Sequence, residues 1–78
     1  MDWRDHIVSE KDILMGKPVL KGTRISVEVI LDLLSDGWTE AQLFESYPNL
    51  TREQLIAVFA FVRDGVQQDL YMPVRRSA

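Results

Sequence analysis

The chain has 78 residues, with 12 Asp or Glu against 9 Lys or Arg, a formal net charge of −3 and no cysteine. That length gives one domain with a marginal core, so self-association is expected to supply buried surface. The missing thiols exclude disulfides and thiolate metal sites, the acidic balance argues against nonspecific nucleic-acid binding, and no apolar run reaches the ~20 residues that span a bilayer.

In chain order, Met1-Asp2-Trp3-Arg4-Asp5-His6 lacks the basic and apolar regions of a signal peptide, and a soluble, cytoplasmic protein is expected. His6-Ile7-Val8 reads as a short strand and Ser9-Glu10-Lys11-Asp12 as a turn, with Ile13, Leu14 and Met15 offering apolar contacts. His6 is the single histidine, which is poor metal chemistry and more in keeping with a structural or solvated ring. Trp3 has no evident role at this level.

Gly16 to Val27 carries no acidic residue. Val19, Leu20, Ile25 and Val27 are strand formers, and Gly22 between them suits a tight reversal, so the stretch reads as a hairpin running into the first helix. Lys17, Lys21 and Arg24 are its three bases. They are either scattered solvated charges or DNA phosphate contacts, and Arg24 also stands four residues before Glu28, the spacing of an ion pair that braces hairpin to helix.

Three helices follow. Ser26 is a good N-cap, Val27 to Asp36 the body, and Gly37 the left-handed stop. Val27, Ile30, Leu31, Leu34 and Trp38 share one side, which makes that side core. Val29 lies off this stripe and is a candidate interface residue. Glu28, Asp32, Asp36 and Glu40 recur at intervals of four on the opposite face, as solvated surface or as a dock for a basic partner. Thr39 caps a second helix, Glu40 to Ser46, and Tyr47-Pro48-Asn49-Leu50 forms a turn.

Thr51 and Gln54 make a capping box for a third helix from Arg52 to about Gln67. Its core face is expected to carry Leu55, Ile56, Phe59, Val62 and Val66, with Val58 at the edge. Phe61 projects the other way, towards a dimer or partner interface or a flanking contact with the tail. Residues 69–78 read as an extended arm, in which Leu70, Tyr71, Met72 and Arg75 are candidate partner contacts.

The fold class expected is mainly α: a small N-terminal β-hairpin followed by a three-helix, helix-turn-helix-like (homeodomain-like) bundle over residues 1–68, then the arm. In such a bundle Thr51, Arg52 and Gln54 at the start of the third helix face the major groove. No catalytic constellation, phosphate-binding loop or converging carboxylate set emerges, so no enzyme activity, cofactor, metal or small-molecule substrate is expected.

Gly16-Lys17-Pro18-Val19, Lys21-Gly22-Thr23-Arg24-Ile25-Ser26-Val27, Asp36-Gly37-Trp38-Thr39 and Tyr47-Pro48-Asn49-Leu50-Thr51 together resemble the prokaryotic family called domain of unknown function 433. Ser26 departs from the proline common at that place, and either residue suits a helix start. The resemblance covers about residues 6 to 66. It implies a helix-turn-helix-like domain, often the antitoxin of a type II toxin-antitoxin pair encoded beside a PIN-like nuclease toxin. On that footing the expected partners are a second copy, the toxin and operator DNA. A stand-alone DNA-binding regulator and an interaction module without a nucleic-acid role are the alternatives.

Overall fold

Local punctuation decides where each helix begins and ends. The computed structural model describes residues 1–68, in which strands β1 (Ile7–Val8) and β2 (Val19–Leu20) precede helices α1 (Val27–Ser35), α2 (Glu40–Ser46) and α3 (Arg52–Gln67). Short 3-10 turns occupy Trp3–Asp5 and Leu14–Gly16. The architecture is mainly helical, with one small antiparallel strand pair near the N-terminus.

The Ser26 hydroxyl accepts from Val29 N at 3.0 Å and starts α1. At the other end Gly37 turns left-handed (φ 93°), so that Gly37 N donates to Leu34 O and Trp38 N to Leu33 O, both at 3.0 Å. This pair of bonds is a Schellman closure, and it needs the conformation that glycine adopts without a Cβ penalty. α2 and α3 each open with a reciprocal capping box. Thr39 exchanges bonds with Gln42, and Thr51 with Gln54, leaving fewer orphan amides in the first turns.

The strand ladder pairs Ile7 with Leu20 and Val8 with Val19. The reversal expected at Gly22 is present, with φ 78° at the glycine, Thr23 N donating to Leu20 O at 3.0 Å and Leu20 N to Ile25 O at 2.9 Å. Its expected second strand is not a strand, because Ser26 is consumed as a helix cap and Val27 is already helical. One bridge, Val19 to Ser26, is what remains, and the ladder partner of β2 is the N-terminal β1 instead.

Leu20, Ile30, Leu43, Leu55, Val19 and Val58 are fully buried, joined by Ile7, Val27, Leu50, Ala57 and Ala60, and no polar or charged residue among those described is buried. Each large aliphatic side chain contributes about 1.5–3 kcal/mol by leaving water. The rotation of α3 differs from the pattern reading. Ile56, Phe59 and Val66, expected inside, are 44%, 48% and 48% exposed, while Ala57, Val58 and Ala60 are buried. The small alanines let α3 approach its neighbours closely, and Ile56, Phe59 and Val66 are left facing water. Leu14 and Met15 also fall outside the core: both have positive φ (49° and 59°), and Met15 is 94% exposed.

Candidate functional site

The most elaborate side-chain arrangement joins the N-terminal 3-10 turn to the end of α3. The Asp2 carboxylate accepts from Arg4 N at 3.0 Å, which caps the turn and sets Trp3 against the helix. The Trp3 indole meets Phe61 edge to face, with centroids 4.9 Å apart and planes at 84°. Its Nε1–H donates to Asp64 Oδ2 at 2.7 Å, and the Arg4 guanidinium lies 4.5 Å from the Trp3 ring centroid. This is the electrostatics of an aromatic quadrupole: positive edge to a π-face, cation over the face.

The Trp3 hydrogen bond holds the Asp64 carboxyl below its ordinary range, opposed by partial desolvation and reinforced by Arg63 and then Arg4. Arg63 Nη2 donates to Asp64 Oδ1 at 3.2 Å. Beside this clamp, Trp3, Phe61, Val62, Gly65 and Gln68 line an apolar groove of about 520 Å³. Phe61, expected at an interface, is thus half-buried against Trp3 of its own chain. Sequence reasoning assigned Trp3 no role, although an N-terminal indole and an aromatic outside its helix stripe were both visible as unplaced rings.

The basic stretch is arranged differently from the expectation. Lys17, Lys21 and Arg24 are all exposed. Lys17 Nζ, not Arg24, pairs with Glu28 Oε1 at 3.4 Å, because β2 carries the residues before Pro18 past the first turn of α1. Pro18 O accepts from Val27 N at 3.0 Å, which fixes that crossing. Arg24 makes no ion pair among the described residues and borders a shallow cleft of about 330 Å³ with Glu10, Ile13 and Thr23. Such an exposed ion pair as Lys17–Glu28 contributes at most ~1 kcal/mol.

At the start of α3, Thr51 Oγ1 accepts from Gln54 N at 3.1 Å and Gln54 Oε1 accepts from Thr51 N at 3.0 Å, so both proposed reading side chains are engaged in the cap. Arg52 is exposed and free of that network. Val29 is half-buried against the core cluster. Leu70, Tyr71, Met72 and Arg75 lie outside the described residues. Glu28, Asp32, Asp36 and Glu40 are all exposed, and the Ser35 hydroxyl donates to the backbone of Asp32 at 2.8 Å, not to a carboxylate. Among the described residues, no three His, Asp or Glu side chains converge as metal ligands, and no helix is long and apolar enough to cross a membrane.

The family model for a protein of unknown function, DUF433, matches residues 7–62, well over half of the chain. The chain belongs to the DUF433 family. Its matched span holds β1 through most of α3, while Trp3 and Asp64, the polar ends of the clamp, fall just outside it. The fold is similar to the crystal structure of a DUF433 member protein from Anabaena variabilis, with a TM-score of 0.75 and 25% sequence identity. That similarity covers 83% of this chain and 64% of the Anabaena chain, so this DUF433 protein spans less than two thirds of its solved relative. A comparison with curated proteins gives no match.

Proposed function

We propose that this DUF433 protein is an antitoxin-like binding module whose acidic face docks on a PIN-like nuclease toxin. The observation that carries the reading is the exposed row Glu28 and Asp32 on α1 and Asp36 at its C-cap, with Glu40 beyond at the start of α2. Among the described residues Glu28 alone in that row has a cationic partner, Lys17. A nuclease that grips RNA presents a basic, metal-bearing cleft, and carboxylates spaced one helical turn apart are complementary to such a surface. The row costs α1 a few tenths of a kcal/mol per like-charged pair, a small penalty for a binding face. The family resemblance supports the same role.

Co-expression with the product of the adjacent reading frame tests this. A stable complex is expected, weakened ~10-fold or more by Asp32→Asn with Asp36→Asn and weakened further by salt. Failure to co-purify, or an unchanged affinity in the double variant, would overturn it.

Operator DNA binding is the second reading, favoured by the order capped α2, tight turn, capped α3 and by exposed Arg52. It ranks below toxin binding because the solvent face of α3 beyond Arg52 offers Ile56 and Phe59, which carry no donors for base edges. Binding to the upstream region should weaken steeply with salt and fall on removal of Lys21, Arg24 or Arg52. Salt-insensitive or absent binding excludes it.

A further inference from the structure

The solvent face of α3 reads Arg52, Ile56, Phe59, Arg63, Val66, at steps of four, three, four and three. At ~100° per residue these five fall within an arc of ~80°, opposite the buried Val58 and half-buried Phe61. Alternating steps of three and four are the seam of a two-helix coiled coil, and its three apolar members are 44–48% exposed.

We propose that this seam pairs antiparallel with the same seam of a second copy. The seam complements itself, cation against aromatic ring and aliphatic against aliphatic, and the two arginines select the register. In a parallel pair Arg52 and Arg63 would each face their own counterparts. In the antiparallel register that stacks Ile56 on Phe59 of the second copy, Arg52 faces Arg63. Shifting one heptad stacks Ile56 on Val66 of the second copy and Phe59 under Arg63 of the second copy. That register alone joins several layers with no arginine opposite another. It also seats the Arg63 guanidinium of each copy over the Phe59 ring of the other, the favourable place for a cation in an apolar seam.

Arg63 retains its counterion there. Asp64, held by the Trp3 indole, donates nothing to the seam but keeps its carboxylate 3.2 Å from the guanidinium, so the cation enters the interface already paired. The surface differs from the acidic row on α1 and α2, and the inference does not rest on toxin binding. It moves the expected dimer contact from Phe61, half-buried against Trp3, to Ile56, Phe59 and Val66.

Sedimentation of the full chain up to ~1 mM should show a reversible dimer, because four such layers bury less than the ~1,200 Å² of a stable interface. Phe59→Glu should weaken it ~10-fold or more with little change in melting temperature, since Phe59 supports no core contact that the chain needs. The natural chain has no cysteine, so crosslinking reads the register directly. Ile56→Cys combined with Val66→Cys should give a disulfide-linked dimer under mild oxidation, and each single variant should not. The two positions lie ~15 Å apart along one helix and cannot join within a chain. A monomer at every concentration, or a crosslink in the Ile56→Cys single variant as a parallel pair gives, would overturn the proposal.

Discussion

Replacing Trp3 is the most informative single perturbation of this fold. The indole is partly buried, so ~150 Å² of apolar surface at ~25 cal/mol/Å² gives about 4 kcal/mol, and a compact unfolded chain reduces that to about 3. A domain of this size holds ~4–12 kcal/mol in total. Trp3→Ala should therefore lower the melting temperature by ~12–24 °C, at ~4–8 °C per kcal/mol. Trp3→Phe keeps a ring against Phe61 and loses the N–H, so it should cost less than half as much at neutral pH. Both variants lose the indole N–H, so the part of each cost that acts through Asp64 narrows in acid. Because Asp64 has a lower pKa folded than unfolded, its contribution is fully present above the ordinary carboxylate value of ~4 and disappears as pH falls from there towards the folded value. Trp3→Phe removes the largest cause of that lowering, so its melting temperature should fall less steeply than the natural chain's on acidification. Circular dichroism melts across a pH series measure both effects. A Trp3→Ala protein within ~0.5 kcal/mol of the natural one would refute the clamp.

Other substitutions test the helix ends and the surface. Gly37→Ala should destabilise by ~1–2 kcal/mol although open space surrounds the site, because φ is +93° there, whereas Gly65→Ala, equally open but helical, should stabilise by ~0.5–1 kcal/mol; opposite signs in denaturant melts are the criterion. Thr51→Ala removes the acceptor for Gln54 N and should cost ~1 kcal/mol by urea unfolding. Lys17→Ala should cost less than ~1 kcal/mol and Arg24→Ala should leave Lys17–Glu28 intact, so a larger loss for Arg24→Ala in the same melts would contradict the pairing found here.

The candidate surfaces were legible to unequal degrees. Within α1 the acidic row is a matter of spacing on one helix, and all four carboxylates are exposed, although Glu40 belongs to α2 beyond the Gly37 stop. Arg24 and Phe61 were misplaced for a common reason. An i to i+4 rule assigns Glu28 to Arg24, but the strand that delivers Lys17 to the same carboxylate comes from eleven residues away. Phe61 looks uncovered only while Trp3, farther still along the chain, has no position. Periodicity also put Ile56 and Phe59 in the core, since it ranks faces by hydrophobicity and is blind to how closely a helix can approach its neighbours.

The amino-acid sequence by itself determined the family, the order of elements and the helix boundaries. Caps, the Gly37 closure and the Gly22 turn act through hydrogen bonds spanning three to five residues, so their outcome is written in the local residues. Tertiary structure alone decided the partner of β2, the rotation of α3 and the clamp between Trp3 and Asp64, 61 positions apart. Each of these depends on which distant surfaces can close together without a void. Two alanines and an indole settle that on α3, and they leave Ile56, Phe59 and Val66 facing outwards.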